Sequence, residues 1–346
     1  MNYSVVKVRK EGILLEKTNH TFENEGVLNP AVMQVGTTVH LFYRAVREGN
    51  HSTIGYCLLD GPLNVICRDT LPIIGCEGNY ESKGVEDPRT VCIDGTYYLT
   101  YTAYDGVNAL GALALSKDLR SFEKKGIIVP EITFSQLAQY ALESDKIDPR
   151  YFEYRSKCEI YDTSGRTHYV WNKDLLFFPR RIKGKLVIMH RIKPHIQLAM
   201  VSDLKDLTRE FWEDYCRNIE DHVMMKSIHP HESAYLGGGC PPIETGHGWI
   251  NIYHGVCRGK NGLEYSACAA LFDLDNPMKE LSRLPYPLFA PEFEWEKVGE
   301  VNNVCFPTGT ALFGDTLYIY YGAADERVAC ASVSLSELVN ELVSYI

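Results

Sequence analysis

The sequence is short of positive charge. Its 346 residues carry 35 Lys and Arg against 45 Asp and Glu, a formal net charge of -10. A nucleic-acid-binding surface shows a basic stripe, so no nucleic-acid partner is expected. Long hydrophobic runs are missing. Nothing approaches the ~18 apolar residues of a membrane helix, and Met1-Asn2-Tyr3-Ser4-Val5-Val6-Lys7 has no apolar signal-peptide region. The expectation is a cytoplasmic protein with no membrane attachment. Paired cysteines are missing too. Eleven cysteines is an odd number, and none forms a Cys-x-x-Cys pair. Cys57, Cys92, Cys268 and Cys330 sit in apolar, strand-like runs, as small core residues do. This argues against a disulfide framework and a zinc site. His229 and His231 flank a proline and read as local hydrogen-bonding groups, so no metal is expected.

What the chain does have is tyrosine: 22, against 13 Phe and 4 Trp. Tyr-rich strands suit half-wet sheets, and Tyr and Trp make platforms for sugars. The stretch Gly84-Val85-Glu86-Asp87-Pro88-Arg89 packs two carboxylates and an arginine beside a proline, just before the strand-like run Thr96 to Thr102. Proline cannot donate to a sheet ladder, so these residues are expected where a strand starts.

That stretch is also a ruler. Proline, a few apolar residues, a Gly turn and an aromatic-rich strand recur from Asn29-Pro30, Asp87-Pro88, Phe178-Pro179, Pro241-Pro242 and Phe306-Pro307. The spacing is roughly 60 residues, with one longer interval. Most copies are followed by a third strand-like run, such as Ile54 to Leu58 or Val328 to Ser332. Evenly spaced short strands mean a sandwich, barrel or propeller. Five similar units, each with a polar residue at one register, fit a five-bladed β-propeller best. The expectation is therefore an all-β chain, residues 1–346 forming one domain. An insertion of about 131–171 carries a short helix at Phe134 to Leu142. A second helix is expected near Glu210 to Glu220, and Leu335 to Ile346 reads as a helix or closing segment. The insertion could be a lid, a subunit contact or simply a tolerated excursion.

A propeller would bring Asn29, Arg44, Asp87, Arg89, Asp105, Lys173, Asp174, Arg191, Glu232, Tyr235, His254 and Asp325 to one rim. Together they make a mixed acidic and basic pocket with aromatic walls, suited to a polar substrate cleaved by acid chemistry. Glycosidic cleavage needs a carboxylic acid to protonate the leaving oxygen.

Here the sequence resembles a family. The Gly84–Arg89 stretch continued by Asp94 to Asp105, Asn172-Lys173-Asp174 with Phe178-Pro179, His190-Arg191, Glu232-Ser233 with Gly237-Gly238-Gly239, Tyr253-His254-Gly255-Val256, and Tyr320 to Asp325 look like the signature of glycoside hydrolase family 130, the β-mannoside phosphorylases and β-mannosidases. The resemblance spans about residues 27 to 340. It implies a five-bladed propeller that cleaves β-mannosidic bonds of manno-oligosaccharides with inversion. No cofactor is implied, only inorganic phosphate as co-substrate in a phosphorylase. It implies that Asp87 is the general acid, acting through a sugar hydroxyl, and that Asp325 holds the mannosyl unit. Arg89, Asn172 and Arg191 would line the site. Family members are often oligomers, which leaves a homo-oligomer open.

Two departures bear on the nucleophile. Phosphorylases of this family typically read Ser-Arg where this chain has Ser52-Thr53. They also carry a lysine in Glu-Ser-x-Lys-x-Gly where this chain has Tyr235. Losing two cations favours water over phosphate, so the expectation leans to an inverting hydrolase, with a phosphorylase as the alternative. Hydrolysis needs a carboxylate base, and Glu232 and Glu264 are the candidates. An arabinan- or fructan-type hydrolase would place an aspartate base where Asn29 stands. A non-catalytic sugar-binding propeller would tolerate loss of Asp87, which is present.

Overall fold

Along Thr38–Arg47, Val39, Leu41, Tyr43 and Ala45 join one apolar core while Phe42 joins another. Alternate side chains of a strand point to opposite faces. A strand that is apolar on both faces therefore belongs to a sheet packed on both sides, and this pattern recurs through the molecule. The computed structural model describes residues 6–143, 147–154, 165–259 and 262–346, and they are mostly β.

Strand β1 (Arg9–Leu15) comes first. Four antiparallel strands follow, β2 (Gly26–Val35), β3 (Thr38–Arg47), β4 (His51–Asp60) and β5 (Asn64–Arg68). The next group is β6 (Gly84–Ile93), β7 (Thr96–Tyr104), β8 (Ala109–Ser116) and β9 (Phe122–Ile127). It joins the first through one parallel bridge, Ser52 opposite Gly84. The third group is β10 (Lys173–Phe177), β11 (Leu186–Arg191), β12 (Ile196–Val201) and β13 (Val223–Met225). The fourth is β14 (Tyr235–Gly238), β15 (Ile243–Thr245), β16 (Gly248–Gly259), β17 (Gly262–Phe272) and β18 (Glu280–Arg283), with β14 and β15 both on β16. The last is β19 (Cys305–Phe313), β20 (Thr316–Ala323) and β21 (Arg327–Ser334), and β1 pairs antiparallel with β21 to complete it.

Five apolar cores lie between consecutive groups. One of them joins the last group to the first, through Tyr320, Val328 and Cys330 against Leu41, Tyr43 and Ala45. The core between the second and third groups takes in helix α1 (Phe134–Glu143) through Phe134, Leu137 and Tyr140, and helix α2 (Arg209–Arg217) through Trp212, Tyr215 and Cys216. Both helices fall where the sequence indicates. Part of the insertion, residues 144–146 and 155–164, lies outside the described residues. Helix α3 (Leu335–Val343) packs Leu338, Val339 and Leu342 into the core beside the last group. The C-terminal segment is thus a helix, and it is the N-terminal β1 that completes the last sheet. No described helix is long and apolar enough to cross a membrane.

The proline ruler needs two corrections. Pro30 and Pro88 do not start their strands. They lie inside β2 and β6 at bulges, where pairing skips from Leu28 to Ala31 and from Glu86 to Arg89. A bulge leaves a residue outside the ladder and so accepts proline. In the third group the same skip runs from Lys173 to Leu176, so the counterpart of Asn29 and Asp87 is Asp174, and Pro179 follows the strand. Asn29, Asp87 and Asp174 have φ of 47°, 48° and 54°. Asn and Asp are the non-glycine residues that best tolerate this left-handed region. Such strain persists where surrounding structure over-determines it, often at functional sites.

Candidate active site

The three bulges open on one cavity of about 310 Å³. Asn29, Asp87 and Asp174 line it, as do Arg44 and Arg191, which occupy equivalent places opposite Leu28 and Lys173. Lys173, Tyr235, His254 and Asp325 also face it. The bulge therefore turns a sheet-internal residue into a site residue, and it does so three times.

The acidic side is tightly bound. Asn29 Nδ2 donates to Asp87 Oδ1 at 2.7 Å, and Arg44 Nη1 lies 3.4 Å from the same oxygen. Glu86, behind the cavity, takes Arg44 Nη2 at 2.9 Å on Oε1 and Lys173 Nζ at 3.5 Å on Oε2. Burial alone would raise the Asp87 carboxyl, but Arg44, Lys173, the Asn29 amide and Arg89 hold it well below the usual carboxylate range. Asp325 is its opposite. Burial pushes it up to about 6; Arg44 and Lys173 oppose the rise, while Asp87 and Glu86 add to it. The two carboxylates thus sit in opposite electrostatic environments within one cavity.

The Asp325 shift carries a prediction. Its folded-state value lies above the unfolded one, so the folded protein holds the extra proton between about pH 4 and 6. Stability falls as pH rises through that window, and the full penalty remains above it. Asp325→Asn is expected to raise unfolding stability by about 1–2 kcal/mol near pH 8, and to change little near pH 4. The figure is reduced because Asp325 keeps an opening to the cavity. Denaturant unfolding at the two pH values checks it; equal effects at both would contradict the assigned shift.

The opposite side is cationic and aromatic. Arg191 Nε meets Asp174 Oδ2 at 2.8 Å, and His254 Nε2 lies 3.7 Å from that oxygen. Tyr235 and Tyr265 share a hydroxyl hydrogen bond of 2.6 Å. The rings of His254 and Phe306 are 4.3 Å apart. Burial, then Arg191, Arg89 and Lys193, holds the His254 imidazole well below its ordinary value and hence neutral.

Other expected site residues do not reach the cavity wall. Arg89 is buried beneath it, where Nε donates to the Gly239 carbonyl at 2.5 Å and Nη1 to the Asp87 and Pro88 carbonyls at 3.0 Å each. It braces the bulge. Asn172 Oδ1 accepts from His190 Nδ1, 3.1 Å away, in a buried chain that continues to Tyr215. Asp105 orders its own turn through the Val107 and Asn108 amides and pairs with Arg166. Neither expected base is at the cavity. Glu232 is fully buried against Arg283 and Tyr253. Glu264 is the strand neighbour of Tyr265, which does line the cavity, so its side chain points to the other face.

The sequence reading passed over several lining residues. The insertion supplies Phe134, Tyr151, Val170 and Trp171, so its described part is a wall of the cavity. Lys193 also lines it. This lysine follows the end of β11 at Arg191, with Ile192 between them also in the wall, so no strand alternation marks it in the sequence.

A family model described as beta-1,4-mannooligosaccharide phosphorylase matches residues 5–344. A 1,2-beta-oligomannan phosphorylase of Thermoanaerobacter sp. (strain X514) is 32% identical over 94% of this chain and 96% of its own. A beta-1,2-mannobiose phosphorylase of the same organism is 30% identical over 96% and 97%. The solved structure of beta-1,2-mannobiose phosphorylase from Listeria innocua, in complex with beta-1,2-mannobiose, superposes with a TM-score of 0.72 at 23% identity, covering 99% of this chain and 100% of that one.

Proposed function

We propose, from the premise that this chain belongs to glycoside hydrolase family 130, that it is an inverting β-1,2-mannoside phosphorylase built on a single five-bladed β-propeller. The five inter-sheet cores support that architecture, because the last sheet packs on the first. The named activities of the two Thermoanaerobacter relatives support the substrate class and the phosphorolytic reaction.

Of the two nucleophiles that the sequence leaves open, phosphate is the better supported. The observation that carries this is the fate of the base. An inverting hydrolase needs a carboxylate to activate water, yet Glu232 and Glu264 both point away. Of the carboxylates lining the cavity, Asp174 is clamped by Arg191, Asp87 serves as the acid, and Asp325 is taken up with the mannosyl unit. Phosphate needs no base, since it arrives as an anion. It needs cations, and Arg191, Lys173 and Lys193 line the same cavity.

The reaction follows. Phosphate oxygen forms a bond to the mannosyl anomeric carbon from the face opposite the leaving group, and the glycosidic C–O bond breaks. The proton from Asp87, passed through a sugar hydroxyl, goes to the leaving oxygen. The products are α-mannose 1-phosphate and a shortened mannoside. Arg44, Lys173, Asn29 and Arg89 favour the ionised form of Asp87. An anion bound by the cavity's cations weakens that field, and phosphate binding thereby favours loading of the acid with its proton. Asp325, Arg44 and Asn29 hold the mannosyl unit.

The test is purified protein with β-1,2-mannobiose at graded phosphate. Mannose 1-phosphate should form in step with phosphate and saturate. Release of free mannose at a phosphate-independent rate would overturn the reading in favour of hydrolysis.

A further inference from the structure

The cationic side of the cavity has a definite shape around Tyr235. The Arg191 guanidinium carbon lies 5.3 Å from the centre of its ring, and the Lys193 ammonium lies 3.8 Å from it. Tyr235 itself is fixed by its hydroxyl contact with Tyr265. Tyr235 thus stands as an aromatic shelf with two cations against it, in the position where the resembling phosphorylases carry a lysine. The charge is supplied from β11 and the residues just after it.

His254 completes the picture. Its side chain is fully buried in the cavity wall, and neither ring nitrogen has a hydrogen-bond partner among the described residues. A neutral imidazole has one N–H to donate. A buried donor left unmatched is destabilising unless a ligand or water completes it. The charges of Arg191 and Lys193 act on His254, and that of Arg191 acts on Lys193. Asp174 pairs with Arg191 at 2.8 Å and lies 3.7 Å from His254, so Lys193 is the cation that leaves this corner with positive charge to spare; that charge, the guanidinium and a neutral N–H, in a partly dry cavity, suit a tetrahedral oxyanion. A neutral sugar has no need of the two charges.

We infer that Lys193 is a phosphate-binding residue of this chain, standing beside Arg191 and His254 and supplying the cation absent from position 235. This rests on the phosphorolytic reading above. The electrostatics agree: burial, then Arg191 and Lys173, pushes the Lys193 ammonium down to about 7, against the pull of Asp174. An arriving anion restores the charge.

The experiment compares the wild type with Lys193→Met and Lys193→Arg. Rates are measured against phosphate and against mannobiose separately, and melting temperatures are measured with and without phosphate. In Lys193→Met the KM for phosphate should rise roughly 10- to 100-fold, the size of one lost charged hydrogen bond. The KM for mannobiose should stay within about twofold. The rise in melting temperature that phosphate gives the wild type should shrink in Lys193→Met and return in Lys193→Arg, a readout that needs no turnover. If the wild type depends on phosphate but Lys193→Met keeps its KM for phosphate and its phosphate-induced melting shift, the subsite assignment fails while the phosphorylase reading stands. If the wild type itself is indifferent to phosphate in both rate and melting, the phosphorylase reading fails, and the inference fails with it.

Discussion

Replacing Asp87 with asparagine is expected to lower kcat for mannoside cleavage by roughly 10²–10⁴-fold, the range for loss of a general acid, and to leave the fold intact. The amide keeps the shape of the carboxyl but has no acidic proton to give. The neighbours tolerate the exchange because Glu86 retains Arg44 at 2.9 Å and Lys173 at 3.5 Å, so neither cation is stranded. The Asn29 amide, which donates to Asp87 Oδ1 at 2.7 Å, can still donate to an amide oxygen. One negative charge fewer makes the cavity more cationic, so phosphate affinity should hold or improve. Mannobiose and phosphate should therefore still raise the melting temperature of Asp87→Asn. Turnover within about threefold of wild type, well short of that range, would remove Asp87 from the acid role.

The parts of this site that were legible in the sequence are those fixed by local backbone chemistry. Asn29-Pro30 and Asp87-Pro88 announce themselves because proline cannot donate to a ladder, although that rule points to strand starts and the structure has internal bulges. The third bulge has no proline. Asp174 was found among neighbouring polar residues, while the ruler ran on to Pro179. The five-unit repeat was legible because a proline, a Gly turn and an aromatic-rich strand recur in each unit. What stayed hidden depends on which face a strand presents. Glu264 and Tyr265 are adjacent, and only the register with β16 decides that the tyrosine meets the cavity. The sequence-based lean to water has a related cause. A cation missing from position 235 counts as lost charge there, but charge in a cavity is a sum over all the elements around it, and Lys193 lines the same cavity from another strand group.

Glu232→Ala is expected to destabilise the fold by about 3–5 kcal/mol, the loss that follows when one partner of a buried ion pair is removed. Any loss of activity should track the loss of folded protein. The reason is a device that four of the five strand groups share. In each, a buried glutamate ahead of the first strand takes a tyrosine hydroxyl from the second strand and a cation from the outermost one. Glu23 meets Tyr43 and Arg68. Glu81 meets Tyr101 and Lys124. Glu232 meets Tyr253 and Arg283. Glu296 meets Tyr321 and Lys10. Three of these carboxylates also take two backbone amides each: Glu81 from Glu77 and Gly78, Glu232 from Ile228 and His229, and Glu296 from Glu292 and Phe293. The carboxylate thus ties the incoming loop to both the inner and outer parts of its own sheet. Removing Glu232 leaves a tyrosine hydroxyl and two amides without their acceptor and takes one of two carboxylates from the buried Arg283, which keeps Glu280. Glu81→Ala is the control, because it removes the same clamp from another group, and the two variants should lose similar stability. The discriminating measurement sets kcat per folded molecule against unfolding free energy for Glu232→Gln and Glu81→Gln. A glutamine at 232 that stays folded yet loses most of its turnover, with the 81 variant unaffected, would return Glu232 to the chemistry and reopen hydrolysis.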